Sequence, residues 1–206
     1  MLTFSIRWYI FNYHPKQQNT KGQKTMIKLT KKQDANIFSE VYWVLLARSK
    51  DTGSRPALTM LHAEASGLDI RITCTDGYRL HRAEDMGDMF EPGLYEVVKF
   101  TKSEIFLARH EGGAVYPDIN PMIPDPERYN FNLNLQVHTI STAQSIAYSR
   151  LIRELPDDRT IDFSYFKDTM SRPLSYPEVA PVNSYSTVVL RDKNLYALIM
   201  YVRIQD

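Results

Sequence analysis

The sequence predicts an α+β fold in which helices pack on antiparallel sheets, divided between two compact domains. Three observations predict it. Capping signatures of the form S/T-x-x-E/Q stand ahead of apolar runs: Thr30 with Gln33, Thr101 with Glu104, and Ser141 with Gln144. Stretches that alternate apolar and polar residues meet at turn residues, above all at Asp76-Gly77. Four prolines (Pro117, Pro121, Pro124 and Pro126) crowd the segment 117–126 between two such sets of elements. The domains expected are therefore 26–126 and 127–206, and 206 residues suffice for a real core.

Residues 1–25 read as an appendage. The apolar run Leu2–Tyr13 is broken by Arg7 and lacks an A-x-A cleavage site, and a polar stretch from Lys16 to Lys24 follows it. Regular patterning begins at Met26, which is a candidate for the true start. Ile37, Phe38, Val41, Val44 and Leu45 then recur at helical spacing behind the Thr30 cap. Lys31 and Lys32 fall in the first turn of that helix, where its dipole disfavours cations. Ser49–Pro56 is a loop. Ala57–Glu64 reads as a strand, and Ser66-Gly67 as a turn. Leu68–Thr75 is a strand with Ile70, Ile72 and Cys74 on one face and Arg71, Thr73 and Thr75 on the other. Asp76-Gly77 turns the chain into a further strand, Tyr78–Ala83.

Gly93–Val98 is the next strand. The box at Thr101, with Phe100 and Ile105 as a hydrophobic staple, predicts a helix over 102–110 that stops at Gly112-Gly113. In the second domain, Ile146, Ala147, Leu151 and Ile152 predict a helix ended by Pro156. A short strand at Ile161–Phe163 and a short helix at Ser164–Met170 follow. Arg172–Val182 is a loop or edge. Ser184–Arg191 and Leu195–Ile204 are strands joined by a turn at Asp192-Lys193-Asn194.

Composition removes several function classes. There are 25 Lys and Arg against 24 Asp and Glu, so bulk positive charge does not coat nucleic acid here, although a local basic face stays open. Cys74 is the only cysteine, which excludes an intramolecular disulfide and argues against a thiolate zinc site. No run of about 20 apolar residues predicts a membrane span, and a cytoplasmic location is expected. Phosphate-binding, dinucleotide and nucleophile-elbow glycine motifs are missing. His62-Ala63-Glu64 has half of a zinc-deaminase signature without the P-C-x-x-C half. Pro117-Asp118 would open a nuclease-type acidic cluster, but no E-x-K follows it. The expectation is therefore a protein that is not an enzyme and has no catalytic, metal or cofactor site. A small nuclease built around Asp118 is the enzymatic alternative.

Three separated stretches carry a family resemblance. Thr75-Asp76-Gly77-Tyr78-Arg79-Leu80 resembles the T-D-G-H-R-L hairpin of bacterial sliding clamps, the DNA polymerase III beta subunit. Tyr116-Pro117-Asp118 followed by Met122-Ile123-Pro124 is similar to the stretch that ends the clamp's middle domain. Leu198-Ile199-Met200-Tyr201-Val202-Arg203-Ile204 is similar to the stretch that closes the clamp's last domain. The stretches stand in the family's order, and Leu58 precedes Thr75 at the family's spacing. The resemblance covers residues 26–126 well and 160–206 more thinly.

The resemblance implies a DNA-clamp-like fold and a processivity factor that performs no bond-making. In clamps these stretches meet at the junction of the middle and last domains. There they line a hydrophobic pocket for short linear peptides of polymerases and other replication and repair proteins. Carried over by position, the pocket comprises Leu58, Thr75, Gly77, Tyr78, Arg79, Leu80, Pro117, Met122, Leu198, Ile199, Met200, Tyr201, Val202 and Arg203. The chemistry is consistent with this role. Gly77 permits a positive φ and a close backbone approach. Leu58, Leu80, Met122 and Met200 offer an adaptable apolar wall, and Arg79 and Arg203 suit peptide carbonyls or acidic flanks at its rim.

Clamps encircle duplex DNA, and helices line the hole. The candidates for non-specific backbone contact are Lys31, Lys32, Lys102, Arg109, Arg150, Arg153 and Lys167. Departures from the family bear on these expectations. Clamps have three domains and dimerise into a ring, whereas two domains here would need a ring of three copies. Tyr78 replaces a histidine, Tyr201 a proline and Val202 a methionine, each of which changes pocket shape. The shortening suggests a phage or mobile-element clamp. The alternative is a stand-alone adaptor or decoy that binds clamp-binding peptides without encircling DNA.

Overall fold

Alternation at every second residue builds most of this molecule. The computed structural model describes residues 26–51, 53, 55–123, 131–132, 140–155, 159–171, 178–182 and 187–203. These form, in chain order, β1 (Met26–Thr30), α1 (Ala35–Leu45), β2 (Leu61–Ser66), β3 (Asp69–Thr75), β4 (Arg79–Ala83), β5 (Gly93–Phe100), β6 (Glu104–Arg109), β7 (Phe131–Asn132), α2 (Ile140–Glu154), β8 (Arg159–Ile161), α3 (Phe163–Thr169), β9 (Glu178–Val182), β10 (Thr187–Asp192) and β11 (Leu195–Arg203). The sheet runs β1-β6-β5-β2-β3-β4-β11-β10-β9-β7, with β8 beside the end of β11, and every pairing described is antiparallel.

Strands from residues 26–109 fill one side of this sheet and strands from 131–203 the other. They meet where β4 pairs with β11, from Leu195 opposite Ala83 to Ile199 opposite Arg79. Beyond Met200, β11 takes β8 as its neighbour, with Tyr201 opposite Ile161.

One face of the sheet carries the helices. In β3, Ile72 and Cys74 point to this side and are fully buried, as the alternation predicted. They pack with Phe38, Val41, Val44 and Leu45 of α1, Leu151 of α2 and Phe166 of α3. Each fully buried Leu, Ile or Val here contributes about 1.5–3 kcal/mol over its exposed state. No helix among the described residues is long and apolar enough to cross a membrane.

Four elements differ from the sequence expectation. The segment predicted as a helix over 102–110 is the strand β6. The Thr101 hydroxyl does accept from the Glu104 amide (3.0 Å), as a capping box would. However, the Thr101 amide donates to the Glu104 carbonyl (2.9 Å), so the motif closes a hairpin turn instead. Alternate burial of Ile105 and Leu107, paired with β5 and β1, then outweighs the helical reading. The Thr30 box likewise forms locally, with the Gln33 amide donating to Thr30 Oγ1 (3.3 Å), but the helix begins only at Ala35. Met26–Thr30 is a strand rather than a mere onset of patterning. Pro56–Thr59 is a 3-10 turn, so the strand expected from Ala57 starts at Leu61.

The helices α2 and α3 and the strands β3, β4, β5, β10 and β11 fall within a few residues of their predicted places. Within the stretch read as a loop or edge, Glu178–Val182 pairs on both sides, with β10 and β7. Residues 1–25, Pro124, Pro126, Pro156 with Asp157-Asp158, residues 172–177 and Ile204 lie outside the described residues.

A buried polar link fastens the helices to the junction. Trp43 Nε1–H donates to the Thr169 carbonyl (2.8 Å). His81 stacks on Trp43 with ring centroids 4.3 Å apart. Its Nδ1–H donates to the Trp43 carbonyl (2.8 Å), and Nε2 lies 3.0 Å from the Thr169 hydroxyl, which also donates to the Tyr165 carbonyl (3.0 Å). Burial pushes this imidazole down to about 3. A base whose folded pKa lies below its unfolded one binds fewer protons in the folded state between the two values. Its contribution to stability is therefore complete above about pH 6.5 and is lost as pH falls toward 3, at about 1.4 kcal/mol per pH unit. Urea unfolding of the protein and of His81→Gln across pH 4–7 measures this. The slope is expected to flatten by about that amount in the variant.

Candidate protein-binding site

The face of the sheet away from the helices carries a separate apolar cluster. Because side chains alternate, Leu80 of β4, Leu198 of β11 and Val189 of β10 lie in one row across three strands: Leu80 pairs with Leu198, and Leu198 with Val189. All three are buried. They pack with Ile119 and the half-buried Met122 from the loop after β6. The three stretches singled out in the sequence thus converge, each contributing to this one cluster.

The hairpin between β3 and β4 borders the cluster and is shaped by its own side chains. Thr75 Oγ1 donates to the Arg79 carbonyl (2.6 Å) and accepts from the Gly77 amide (3.1 Å). Asp76 Oδ1 accepts from the amides of Tyr78 and Arg79, both at 3.0 Å. Gly77 sits at φ +94°, a conformation that L side chains rarely adopt. Tyr78 stands at the tip, 62% exposed. Its carbonyl accepts from the Met200 amide (2.8 Å), which ties the tip to β11.

Alternation divides the C-terminal stretch. Leu198 is in the cluster, and the half-buried Met200 and the 50% exposed Val202 follow it at every second residue. Ile199 is fully buried in the main core, and Tyr201 packs against that core, so these two face the helices. Arg203 pairs through its backbone with Arg159. Leu58 is buried outside this cluster, in a separate one with Ala57, Met60, Leu94 and Tyr116, and Pro117 is exposed.

Arg79 turns inward instead of standing at a rim. Nε donates to Asp76 Oδ2 (3.1 Å), Nη1 to Asp168 Oδ2 (2.6 Å) and Nη2 to the Leu46 carbonyl (2.8 Å). The Tyr165 ring lies 4.5 Å from its guanidinium. Its odd position in β4 decides this, because residues 79 and 81 share the helix face. Asp118, on which the nuclease alternative rested, accepts from the Asn120 amide (3.0 Å) and so shapes a turn. Among the described residues, no three His, Cys, Asp or Glu side chains are grouped to hold a metal.

The basic candidates are dispersed. Lys31 and Lys32 are exposed in the turn before α1, and Lys102 in the turn before β6. The Lys31 amide donates to the Ser103 carbonyl (3.0 Å), so these two turns adjoin. Arg109 ends β6, pairs with Glu91, donates to the Pro92 carbonyl (3.2 Å) and lines a cleft of about 420 Å³ with His62 and Tyr116. Lys102 and Arg109 are therefore not helical, contrary to the expectation, because β6 replaces the expected helix. Arg150 and Arg153 are exposed on α2, and Lys167 on α3.

Sequence reasoning missed Ile119 and Val189. Both were accessible to it: Ile119 as the apolar residue just after Pro117-Asp118, and Val189 from alternation in β10.

The fold is that of a DNA-clamp-type protein, with helices on one face of a long antiparallel sheet. Solved structures similar in fold include bacterial sliding clamps. DNA polymerase III subunit beta from Borrelia burgdorferi matches with a TM-score of 0.59 at 14% identity, over 95% of this chain and 68% of that one. The beta subunit from Thermotoga maritima matches at 0.58 and 13%, over 94% and 69%. The sliding clamp from Bacillus subtilis matches at 0.56 and 15%, over 92% and 68%. The chain is thus similar in fold to a shortened beta clamp. No protein-family model matches the sequence, and no curated protein matches it.

Arg79 and Gly77 have separable roles. Arg79→Ala removes three charge-assisted hydrogen bonds and leaves the Leu46 carbonyl without its partner, at a cost of about 2–3 kcal/mol. Gly77→Ala meets only Arg55 Nη1, 3.9 Å from its Cβ, so its cost is the backbone strain of about 1 kcal/mol. Urea unfolding of both variants is expected to give that order.

Proposed function

We propose that this chain is a non-enzymatic, clamp-like replication factor, acting in the cytoplasm, that tethers polymerases or other replication and repair proteins to duplex DNA. It does so by holding a short linear peptide of each partner on the apolar cluster at the β4–β11 junction. One observation carries this reading. Leu80, Met122 and Leu198 come from three distant stretches yet meet in one cluster with Ile119 and Val189, buried except for the half-buried Met122. The half-buried Met122 and Met200 and the exposed Tyr78 and Val202 supply the apolar area that a peptide reaches. Leucine and phenylalanine side chains of a peptide fit such a surface, and Met122 and Met200 can repack around different ones. Tethering of this kind works by effective concentration and needs no chemistry from the tether.

In this reading the chain holds two clamp-type domains, 26–126 and 127–206, and a ring takes three copies. DNA is contacted through its phosphates by Lys31, Lys32, Lys102, Arg150, Arg153 and Lys167. The adaptor reading has one observation in its favour: α1 contains no Lys or Arg, and the lysines near it sit in turns.

Calorimetric titration with a peptide rich in Gln, Leu and Phe tests the cluster. Saturable binding is expected. Met200→Asp places a charge on the half-buried apolar rim and is expected to weaken binding about tenfold or more. No saturable binding to the wild-type protein would sink both readings. Retention on nicked circular DNA that is lost on linearisation, together with a trimeric mass, supports the ring. A monomer that binds peptide but shows no retention leaves the adaptor.

A further inference from the structure

The loop from Tyr116 to Ile123 supplies Ile119 and Met122 to the apolar cluster, yet it is neither strand nor α-helix. Its only regular feature is a 3-10 turn over Asn120–Met122. A polar contact fixes that turn to the sheet: Asn120 Oδ1 accepts from Arg82 Nη2 at 3.1 Å. Arg82 is buried on the face of β4 that also carries Leu80, and the sheet determines where it points. Nε donates to Thr73 Oγ1 (3.2 Å), and the other hydrogen of Nη2 goes to Glu64 Oε1 (3.2 Å). Glu64 is held in turn by Arg71 Nε (2.7 Å). A buried guanidinium with its donors committed this way is rigid, and removing an acceptor leaves a buried donor unsatisfied. Asn120, by contrast, is exposed and packs into no core cluster.

We infer that Arg82 and Asn120 form a latch that sets the position of Ile119 and Met122, and hence the shape of the peptide surface. Asn120 is a positioning residue in this inference, acting through the loop without touching the peptide. The inference rests on the peptide-binding reading above for its consequence, but the latch itself has a separate readout.

The test uses the full chain with Asn120→Ala and Asn120→Asp. Hydrogen exchange reads the Met122 and Ile123 amides, which donate to the Ile119 and Asn120 carbonyls at 3.0 and 3.1 Å. Calorimetry with the Gln-, Leu- and Phe-rich peptide reads binding, and the urea midpoint reads global stability. In Asn120→Ala, protection of the two amides is expected to fall about tenfold. Peptide affinity is expected to fall about fivefold, with the midpoint close to wild type. Asn120→Asp keeps an acceptor for Arg82 and is expected to restore both. Unchanged protection in Asn120→Ala overturns the latch whether or not peptide binds. Lost protection with unchanged peptide affinity overturns its role in binding. Lost protection restored by Asn120→Asp, in a protein whose wild type binds no peptide, supports the latch and removes the peptide reading alone.

Discussion

β4 is a strand of five residues, all buried, and three of them are ionisable. Everything around it follows from giving those three partners. Its backbone is committed on both edges, to β3 and to β11, so the side chains alone decide what packs above and below. A buried charge or hydrogen-bonding group without a partner is costly, so the neighbours of the charged Arg79 and Arg82 and of the neutral His81 are under strong constraint. Alternation sends Arg79 and His81 to the helix side. There they fix the end of α1 through the Leu46 and Trp43 carbonyls, and α3 through Asp168 and Thr169. It sends Arg82 to the opposite side with Leu80, where it holds Glu64 and Asn120. One short strand thus sets the position of two helices and a loop, and joins the two ends of the chain into one sheet.

The parts of this arrangement legible in the sequence were those where a single period dominates. β3 alternates without interruption, and β10 and β11 flank an evident turn, so their faces followed from counting. The error at β6 has a definite cause. A threonine whose hydroxyl accepts an amide three residues on is the signature of a helix start and also of a tight hairpin turn. Only the carbonyl partner of Glu104, the Thr101 amide, separates the two, and the pairing that favours it includes β1, which lies far away in sequence. β1 escaped notice because five residues ending in a cap-like threonine offer too little period to read. Arg79 was misplaced for a different reason. Its long side chain suits a rim, and only the presence of Leu46, Tyr165 and Asp168 on the helix side makes an inward course better.

Likeness to bacterial clamps at 13–15% identity is a statement about backbone layout, and it spans about two thirds of those chains. At that distance the sheet order can persist while most side chains change, because alternation asks only for apolar residues on the buried faces. The apolar cluster is a more demanding feature. Its five members come from β4, β10, β11 and an irregular loop, and burial alone does not require the loop to lie there. An irregular segment laid over a sheet face must be held by specific contacts, which is the role that Tyr116 in its separate cluster and Asn120 on Arg82 fill here.

β11 shows how a linear motif becomes a surface. Six consecutive pocket candidates, Leu198 to Arg203, stood in one functional stretch in the sequence. In the sheet they cannot act together, since neighbours point to opposite faces. Ile199 and Tyr201 complete the helix-side core, and Leu198, Met200 and Val202 follow one another on the other side. The stretch therefore carries two constraints interleaved at single-residue spacing. The inward set must fill a core already defined by Ile161 and Phe166, while the outward set is free to change with whatever it meets. That asymmetry accounts for where this chain departs from the clamp motif. Valine at 202 is outward and half exposed, and tyrosine at 201 packs inward beside Arg159, whose guanidinium lies 5.3 Å from its ring. The first departure reshapes the surface offered to a partner. The second reshapes only the seam between β11 and β8.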